Sequence, residues 1–262
     1  MPASGPAVFK IGVSEQVAVT AKVEMPARLG AETPGLILAH GANNDLDHPL
    51  LAAIAQHLAA EAGVMVVRFN FPYIERGSSS PDSAAVLENC FRRVHDHVAD
   101  ELAAPGAPLF IGGKSLGGKI AAELISRGEE GEGIVAAGLV ELGYPLHRSG
   151  HKENLFREPL RKIGVPSLFL IGERDPFCDP DLLRPLLEQL LHPGKLVVVQ
   201  GGDHSLHRAG AAKAGADSEA GAGTATATAD PSATVVEGTD EFADIAAEVA
   251  RFIASVAGPR PG

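Results

Sequence analysis

Ser115 lies in the middle of the chain with a glycine two positions before it and another two positions after it. An apolar run at 109–112 precedes this Gly-x-Ser-x-Gly pattern, and apolar residues at helical spacing follow it. A strand, a tight turn and a helix in that order are the setting in which a serine hydroxyl is held exposed as a nucleophile. The pattern also occurs in structural turns, so by itself it leaves open whether the serine is catalytic or idle.

The same segment also resembles the end of a phosphate-binding loop, because residues 113–115 read Gly-Lys-Ser. That loop requires a glycine five residues before Gly113, and this position is occupied by Pro108. The sequence therefore disfavours a phosphate-binding loop and leaves Ser115 as a candidate nucleophile.

An acid and a histidine follow the serine, each placed after its own predicted strand. Asp175 comes after the apolar run 166–172, and His204 comes after the run 196–199. Because the carboxyl ends of parallel strands meet at one edge of a sheet, these side chains and Ser115 are expected to converge. Serine, acid and histidine in this chain order are the order of the α/β-hydrolase architecture.

These residue types suit acyl transfer. Ser115 would be the nucleophile, His204 the general base, and Asp175 the group that orients and stabilises the imidazole. Two neighbours remain as alternatives, because Asp179 lies in the same loop as Asp175 and His207 lies near His204.

The oxyanion of a tetrahedral intermediate would need two backbone donors. We expect the amide of Leu116, at the start of the predicted helix, and the amide of Ala42, in the loop after the run 35–41. We expect His40 to support that loop by hydrogen bonding and not to act as a base. The side chains expected to shape the substrate pocket are His40, Asn43, Tyr73 and Tyr144.

Several other polar residues near the predicted site are expected to have structural and not catalytic roles. Lys114 is expected either to reach solvent or to pair with an acid such as Glu141. His147 and His151 are expected to be solvated residues near the site mouth. Cys178 lies close by, but no second histidine is obviously paired with it.

The composition restricts the classes of partner. The net charge is -11, with 22 Lys and Arg against 33 Asp and Glu, which argues against nucleic acid as a partner.

The 2 cysteines cannot form a disulfide framework and suit a reducing compartment, so we expect a cytoplasmic protein. We see no signal peptide, no membrane span and no cluster at metal-ligand spacing, and we expect neither a metal nor a cofactor. The sequence leaves the oligomeric state open.

Strands and helices alternate at least five times along the chain. This pattern predicts an α/β fold with a mostly parallel, doubly wound sheet and helices on both faces. Residues 17–23 alternate and predict an edge strand. We expect one domain over residues 1–262, interrupted at 209–239 by a disordered insertion rich in Ala, Gly and Thr. A functional lid is the alternative for that segment.

Six segments carry a resemblance to a known family. They are residues 40–49, 68–73, 112–118, 143–147, 172–177 and 202–205. Together they resemble the small α/β-hydrolase-like branch shared by bacterial dienelactone-hydrolase-type proteins and testis-expressed proteins. The resemblance covers about residues 35–205 and the final helix, and it implies a compact, capless hydrolase fold with Ser115, Asp175 and His204 as the triad. The insertion after His204 departs from the usual pattern of the branch.

Two functions follow from these observations. The first is a serine hydrolase acting on a small carboxylic ester or thioester through an acyl-enzyme. The second is a non-catalytic hydrolase-like module that binds a protein partner, because the branch contains members that act as scaffold subunits. The intact set of Ser115, Asp175 and His204 favours the hydrolase.

Overall fold

The computed structural model of the chain describes residues 5–128, 131–208, 234–236 and 242–258. The strands within these residues are β1 Ala7–Gly12, β2 Ala18–Glu24, β3 Gly35–Ala39, β4 Met65–Phe69, β5 Leu109–Lys114, β6 Gly138–Leu142, β7 Ser167–Gly172, β8 Lys195–Val199 and β9 Thr234–Val236. The helices are α1 Pro49–Glu61, α2 Pro72–Glu75, α3 Ala84–His97, α4 Leu116–Ser126, α5 Glu158–Arg161, α6 Pro180–Leu187 and α7 Ala243–Ala257. A π-helical turn, Val98–Leu102, extends α3.

In the described part of the chain all these strands join one nine-stranded sheet, in the order β1-β2-β4-β3-β5-β6-β7-β8-β9. The pairs β1–β2 and β2–β4 are antiparallel, and every other pair is parallel. The prediction of a mostly parallel sheet is confirmed. The prediction of an edge strand at 17–23 is wrong, because β1 pairs along the outer side of β2.

Helices cover both faces of the sheet, as predicted. One apolar core lies between the sheet and α3, α4 and α6, and a second core lies between the sheet and α1 and α7. The central strands β3 and β7 are buried at every residue. This burial on both faces explains why their sequences read as continuous apolar runs.

Of the predicted insertion at 209–239, the structure describes only Thr234–Val236, which form β9 beside β8. The other residues of that range lie outside the described residues. The disordered insertion, and the single domain over 1–262 that it interrupts, therefore stay predictions.

The sheet order reverses around β3. The chain runs from β3 outward to β4 and then returns to β5 on the other side of β3. In open α/β sheets a crevice for ligands forms where the strand order reverses, beyond the carboxyl ends of the strands. The loops after β3 and β5 therefore flank the expected place for a site.

Candidate active site

Ser115 occupies a tight turn between β5 and α4. Its backbone has φ 50 and ψ -112, a left-handed conformation that is costly for a residue with a side chain. Gly113 and Gly117 allow β3 to approach this turn closely: a Cβ on Gly117 would stand 2.5 Å from the carbonyl oxygen of Ala39, and one on Gly113 would also collide with that oxygen. The glycines of the pattern are therefore required by the packing of the turn.

Three side chains from separate loops form a continuous hydrogen-bonded chain. His204 Nε2 lies 2.9 Å from Ser115 Oγ, and His204 Nδ1 lies 2.9 Å and 2.8 Å from the two carboxylate oxygens of Asp175. One of those oxygens also accepts a hydrogen bond from the Phe177 amide at 2.8 Å. Because a carboxylate can only accept, it holds the imidazole proton on Nδ1 and leaves Nε2 to accept from the serine hydroxyl.

The two alternatives from the sequence occupy other positions. Asp179 caps α6 by accepting from the Asp181 amide at 3.0 Å, and it pairs with Lys152 at 2.6 Å. The ring of His207 packs against Phe242, with 5.2 Å between ring centroids. The structure therefore brings Asp175 and His204 to the serine, and neither alternative residue.

The loop that carries His204 is held by contacts that the sequence reasoning missed. Asp203 Oδ1 accepts from the amides of Ser205 and His207, at 2.8 Å and 3.0 Å. Leu206 is fully buried although its φ is 63, so burial of its side chain offsets the cost of a left-handed backbone. The Asp-His-Ser sequence is a recognisable signal for such an Asx turn.

Further contacts tie the same loop to its surroundings. Arg208 forms an ion pair with Asp244 of α7 at 2.7 Å. The ring of Phe177 lies 4.7 Å from the ring of His204, measured between centroids. These contacts restrict the orientation of the imidazole next to the segment at which the predicted insertion begins.

His40 fixes the peptide that precedes Ala42. The Phe71 amide donates to His40 Nε2 at 3.0 Å, so the ring proton is on Nδ1 and is donated to the Gly41 carbonyl at 2.8 Å. Burial lowers the pKa of His40 and keeps the ring neutral. The Gly41–Ala42 peptide is trans, so the Ala42 N–H is directed away from the side on which His40 holds the carbonyl.

The amides of Ala42 and Leu116 both remain available as donors. The Ala42 amide makes no hydrogen bond within the described part of the chain. Leu116 is the first residue of α4, where amides have no partner inside the helix and the helix dipole favours negative charge. These are the two donors that the sequence predicted for an oxyanion.

Of the four residues expected to shape the substrate pocket, His40, Tyr73 and Tyr144 do not line it, so that prediction is corrected. All three are fully buried. The Tyr73 hydroxyl lies 3.4 Å from the Gly41 carbonyl, and the Tyr144 hydroxyl lies 3.4 Å from the Phe156 carbonyl. Burial raises the pKa of Tyr73 to about 12, so its phenol stays neutral. The sequence could not reveal this, because alternation does not show which aromatic rings outside the strands pack inward.

Asn43, in contrast, is exposed and lines an open groove of about 550 Å³. Its φ is 57, a left-handed conformation that asparagine tolerates. The described residues that line the groove are 43–45, 47–49, 74 and 77–79. The groove therefore begins at the residue that follows Ala42.

Both alternatives predicted for Lys114 are wrong: its side chain is buried and does not reach solvent, and it does not pair with Glu141. The register pairs Glu141 with Gly113 and pairs Lys114 with Leu142, so the two charged side chains leave opposite faces of the sheet. Both carboxyl oxygens of Glu141 are buried without a hydrogen-bond partner among the described residues. Burial raises the pKa of Glu141 well above its usual value and lowers the pKa of Lys114.

The other polar residues near the site have structural roles. His147 is buried, contrary to the prediction, and its Nε2 accepts from the Asp179 amide at 3.1 Å. His151 is exposed, as expected. Burial raises the pKa values of Cys90 and Cys178, so neither thiol is activated as a thiolate.

The described residues hold neither a metal-binding cluster nor a membrane-spanning helix. No group of three or more His, Cys, Asp and Glu side chains among them is arranged to hold a metal ion. None of the helices that the structure describes is long and apolar enough to cross a membrane.

Comparison with known proteins agrees with this fold. A family model described as "Alpha/beta hydrolase domain" matches residues 32–230. The fold is similar to that of a Xanthomonas campestris protein, XC6422, described as an α/β serine hydrolase without lid. The TM-score is 0.59 at 20% identity, over 78% of this chain and 87% of that one.

Two further solved structures are similar. Dienelactone hydrolase from Anabaena variabilis has a TM-score of 0.65 at 16% identity, over 97% of this chain and 99% of that one. Est1E from Butyrivibrio proteoclasticus has a TM-score of 0.61 at 16% identity, over 78% and 91%. At these identities the similarity shows the fold, which is that of the predicted class.

Proposed function

The chain belongs to the alpha/beta hydrolase domain family, and on that premise we propose that it is a serine hydrolase that cleaves a small carboxylic ester or thioester. The observation that carries the proposal is the hydrogen-bonded chain from Ser115 Oγ through His204 to Asp175. A hydroxyl is a weak nucleophile at neutral pH, and an adjacent base held by an acid activates it.

The geometry supports a two-step reaction. As Ser115 Oγ bonds to the substrate carbonyl carbon, its proton passes to His204 Nε2, and Asp175 stabilises the imidazolium. The same Nε2–H then protonates the leaving alkoxide or thiolate as its bond to the carbonyl carbon breaks. A water molecule activated by His204 attacks the acyl-enzyme, which releases the acid and restores the serine hydroxyl.

The negative charge of each tetrahedral intermediate would be bound by the amides of Ala42 and Leu116. Such donors are preorganised here, because His40 and the start of α4 fix the two peptides before substrate arrives. Losing one oxyanion donor typically costs about 10²- to 10³-fold in kcat.

Hydrolysis of 4-nitrophenyl acetate tests the proposal. Ser115→Ala and His204→Ala are each expected to lower kcat/KM by about 10³-fold or more, because each removes a group without which the hydroxyl is not activated. Ser149→Ala, at an exposed serine, is the matched control and is expected to keep wild-type activity. Full activity of Ser115→Ala would contradict the proposal. A folded wild type that cleaves no ester of a broad panel would instead support a binding module.

A further inference from the structure

The loop that carries Ala42 is anchored at both ends to one stretch of chain, residues 68–71 at the end of β4. At the start of the loop, the ring of His40 accepts a hydrogen bond from a backbone amide of this stretch at 3.0 Å. At the end of the loop, two side chains of the same stretch bind the backbone of Leu46. Only residues 41–45 lie between the two anchors, so a displacement of Leu46 is transmitted over a short distance to Ala42.

Both backbone polar groups of Leu46 are bound by side chains. Its amide donates to Asn70 Oδ1 at 2.9 Å, and its carbonyl oxygen accepts from Arg68 Nη1 at 2.5 Å. Leu46 itself is buried. Because a buried backbone group that loses its partner is costly, removal of either side chain favours a different path of the loop.

The Asn70 side chain is itself held in one orientation. Its Nδ2 donates to Glu75 Oε1 at 3.0 Å, and because only the amide nitrogen can donate to a carboxylate, this contact directs Oδ1 toward Leu46. Glu75 is fixed in turn by Lys10 of β1 at 2.6 Å and by the Thr20 amide of β2 at 2.8 Å. The acceptor for the loop is therefore in place before substrate binds.

Arg68 is buried together with an acid. Its guanidinium forms an ion pair with Glu24 of β2, which is also buried. The pair neutralises the charge, and one Nη remains to donate to the Leu46 carbonyl oxygen. The outer strands β1 and β2 therefore provide partners for both side chains that bind Leu46.

We propose that Asn70 is a positioning residue for the hydrolytic reaction. By binding the Leu46 amide, it holds the loop in the conformation in which the Ala42 amide meets the oxyanion. The inference rests on the proposed serine hydrolase function. An oxyanion donor acts on charge that develops in the transition state, so its displacement lowers kcat and leaves KM nearly unchanged. A hydrogen bond that served stability alone would change neither constant in the folded enzyme.

Steady-state kinetics of Asn70→Ala with 4-nitrophenyl acetate tests the proposal, at a temperature at which each variant is folded. We expect kcat to fall about tenfold or more while KM stays within about twofold of the wild-type value, because the donor is displaced and not removed. Asn89→Ala is the matched control, since Asn89 of α3 also binds a distant backbone group, the Val13 carbonyl oxygen, at 3.1 Å. It is expected to lower the melting temperature and to keep wild-type kcat.

A conservative variant separates positioning from stability. Asn70→Asp keeps an oxygen for the Leu46 amide but places a second carboxylate beside Glu75. The repulsion is expected to lower the melting temperature, whereas kcat is expected to stay within about threefold of the wild type. Asn70→Ser has a side chain too short to reach Leu46, so it is expected to reproduce the loss in kcat and replaces Asn70→Ala if that variant does not fold.

A double-mutant cycle tests whether Asn70 acts through the Ala42 amide. Ala42→Pro removes that N–H, so adding Asn70→Ala to it is expected to lower kcat by no more than about twofold further. Losses that multiply in the double variant would overturn the proposal, as would wild-type kcat in Asn70→Ala and Asn70→Ser.

Labelling of the wild type by a fluorophosphonate separates this inference from the proposed function. A labelled wild type whose kcat is unaffected by Asn70→Ala, or equally affected by Asn89→Ala, refutes the positioning role alone. A folded wild type that is not labelled refutes the hydrolase function and the positioning role together.

Discussion

His204 Nδ1 lies within hydrogen-bond distance of both carboxylate oxygens of Asp175, whereas Asp179 in the same loop caps α6. An aspartate that accepts from Nδ1 holds the tautomer in which Nε2 can take the serine proton. Replacement by asparagine would present an amide to the same nitrogen and favour the wrong tautomer. The neighbouring aspartate offers a natural comparison for this effect.

Asp175→Asn is therefore expected to lower kcat on 4-nitrophenyl acetate by about 10⁴-fold, while the melting temperature changes little. Asp179→Asn keeps an oxygen that can cap α6 and is expected to retain nearly wild-type kcat. The opposite ranking of the two variants would show that the acid had been assigned to the wrong residue.

The backbone amide of Ala42 is expected to bind the oxyanion. Ala42→Pro removes the N–H and is expected to lower kcat by about 10²-fold or more, with a smaller change in KM, because the donor acts on charge that develops in the transition state. Ala42→Gly keeps the N–H and is expected to lower kcat far less. Steady-state kinetics of the two variants provides the comparison, and equal loss in both would exclude a role for this donor.

The buried imidazole of His48 is expected to make the free energy of unfolding decrease in acid. Burial lowers the pKa of His48 to about 3, so the folded state leaves the ring neutral while the unfolded state protonates it below its ordinary pKa of 6.5. The unfolded state then binds more protons, and the free energy of unfolding falls as pH decreases from about 6.5 toward 3, by at most about 1.4 kcal/mol per pH unit.

His48→Asn keeps a side-chain acceptor for the Leu50 amide but removes this titration. Urea unfolding at several pH values from 7 to 4 is expected to show a shallower decline for the variant than for the wild type. Exposed His151→Asn is the control and should follow the wild-type curve. Parallel curves for the wild type and His48→Asn would refute the account.

Glu141 is expected to have the opposite effect on the pH dependence of the free energy of unfolding. Burial raises its pKa well above 4.5, so the folded state keeps a proton that the unfolded state loses as pH rises. The contribution of this residue to the free energy of unfolding therefore falls with increasing pH above about 4.5, by at most about 1.4 kcal/mol per pH unit. A glutamine in its place carries a neutral amide that does not ionise, so it would not cause this decrease in the free energy of unfolding.

The free energy of unfolding of Glu141→Gln, minus that of the wild type, is expected to increase as pH rises from 5 to 8. The exposed Glu32→Gln is the matched control, and its difference from the wild type should stay constant. A Glu141→Gln difference that is flat or falls over this range would mean that the carboxyl is ionised in the folded protein.

The sequence predicted the sheet and the convergence of the site because both follow from local patterns. Continuous apolar runs such as β3 and β7 predict buried parallel strands, and residues that follow such strands meet at one edge. Ser115, Asp175 and His204 each follow a run of this kind, so topology alone brings them together.

What the sequence missed depends on register and on packing between loops. The faces taken by Lys114 and Glu141 follow from the pairing of β5 with β6, which no single segment reveals. β1 was missed because most of its residues are exposed and give no clear alternation. The buried ring of Tyr73 lies in the short helix α2 and that of Tyr144 in a loop, and in neither place does composition distinguish an inward ring from an outward one.

Labelling with a fluorophosphonate tests the central claim most directly, because the reagent reacts with an activated serine whatever the natural substrate is. The account predicts one covalent adduct per chain, located at Ser115 by peptide mass mapping and lost in Ser115→Ala and in His204→Ala. A folded wild type that is not labelled, or an adduct that persists in Ser115→Ala, would contradict it.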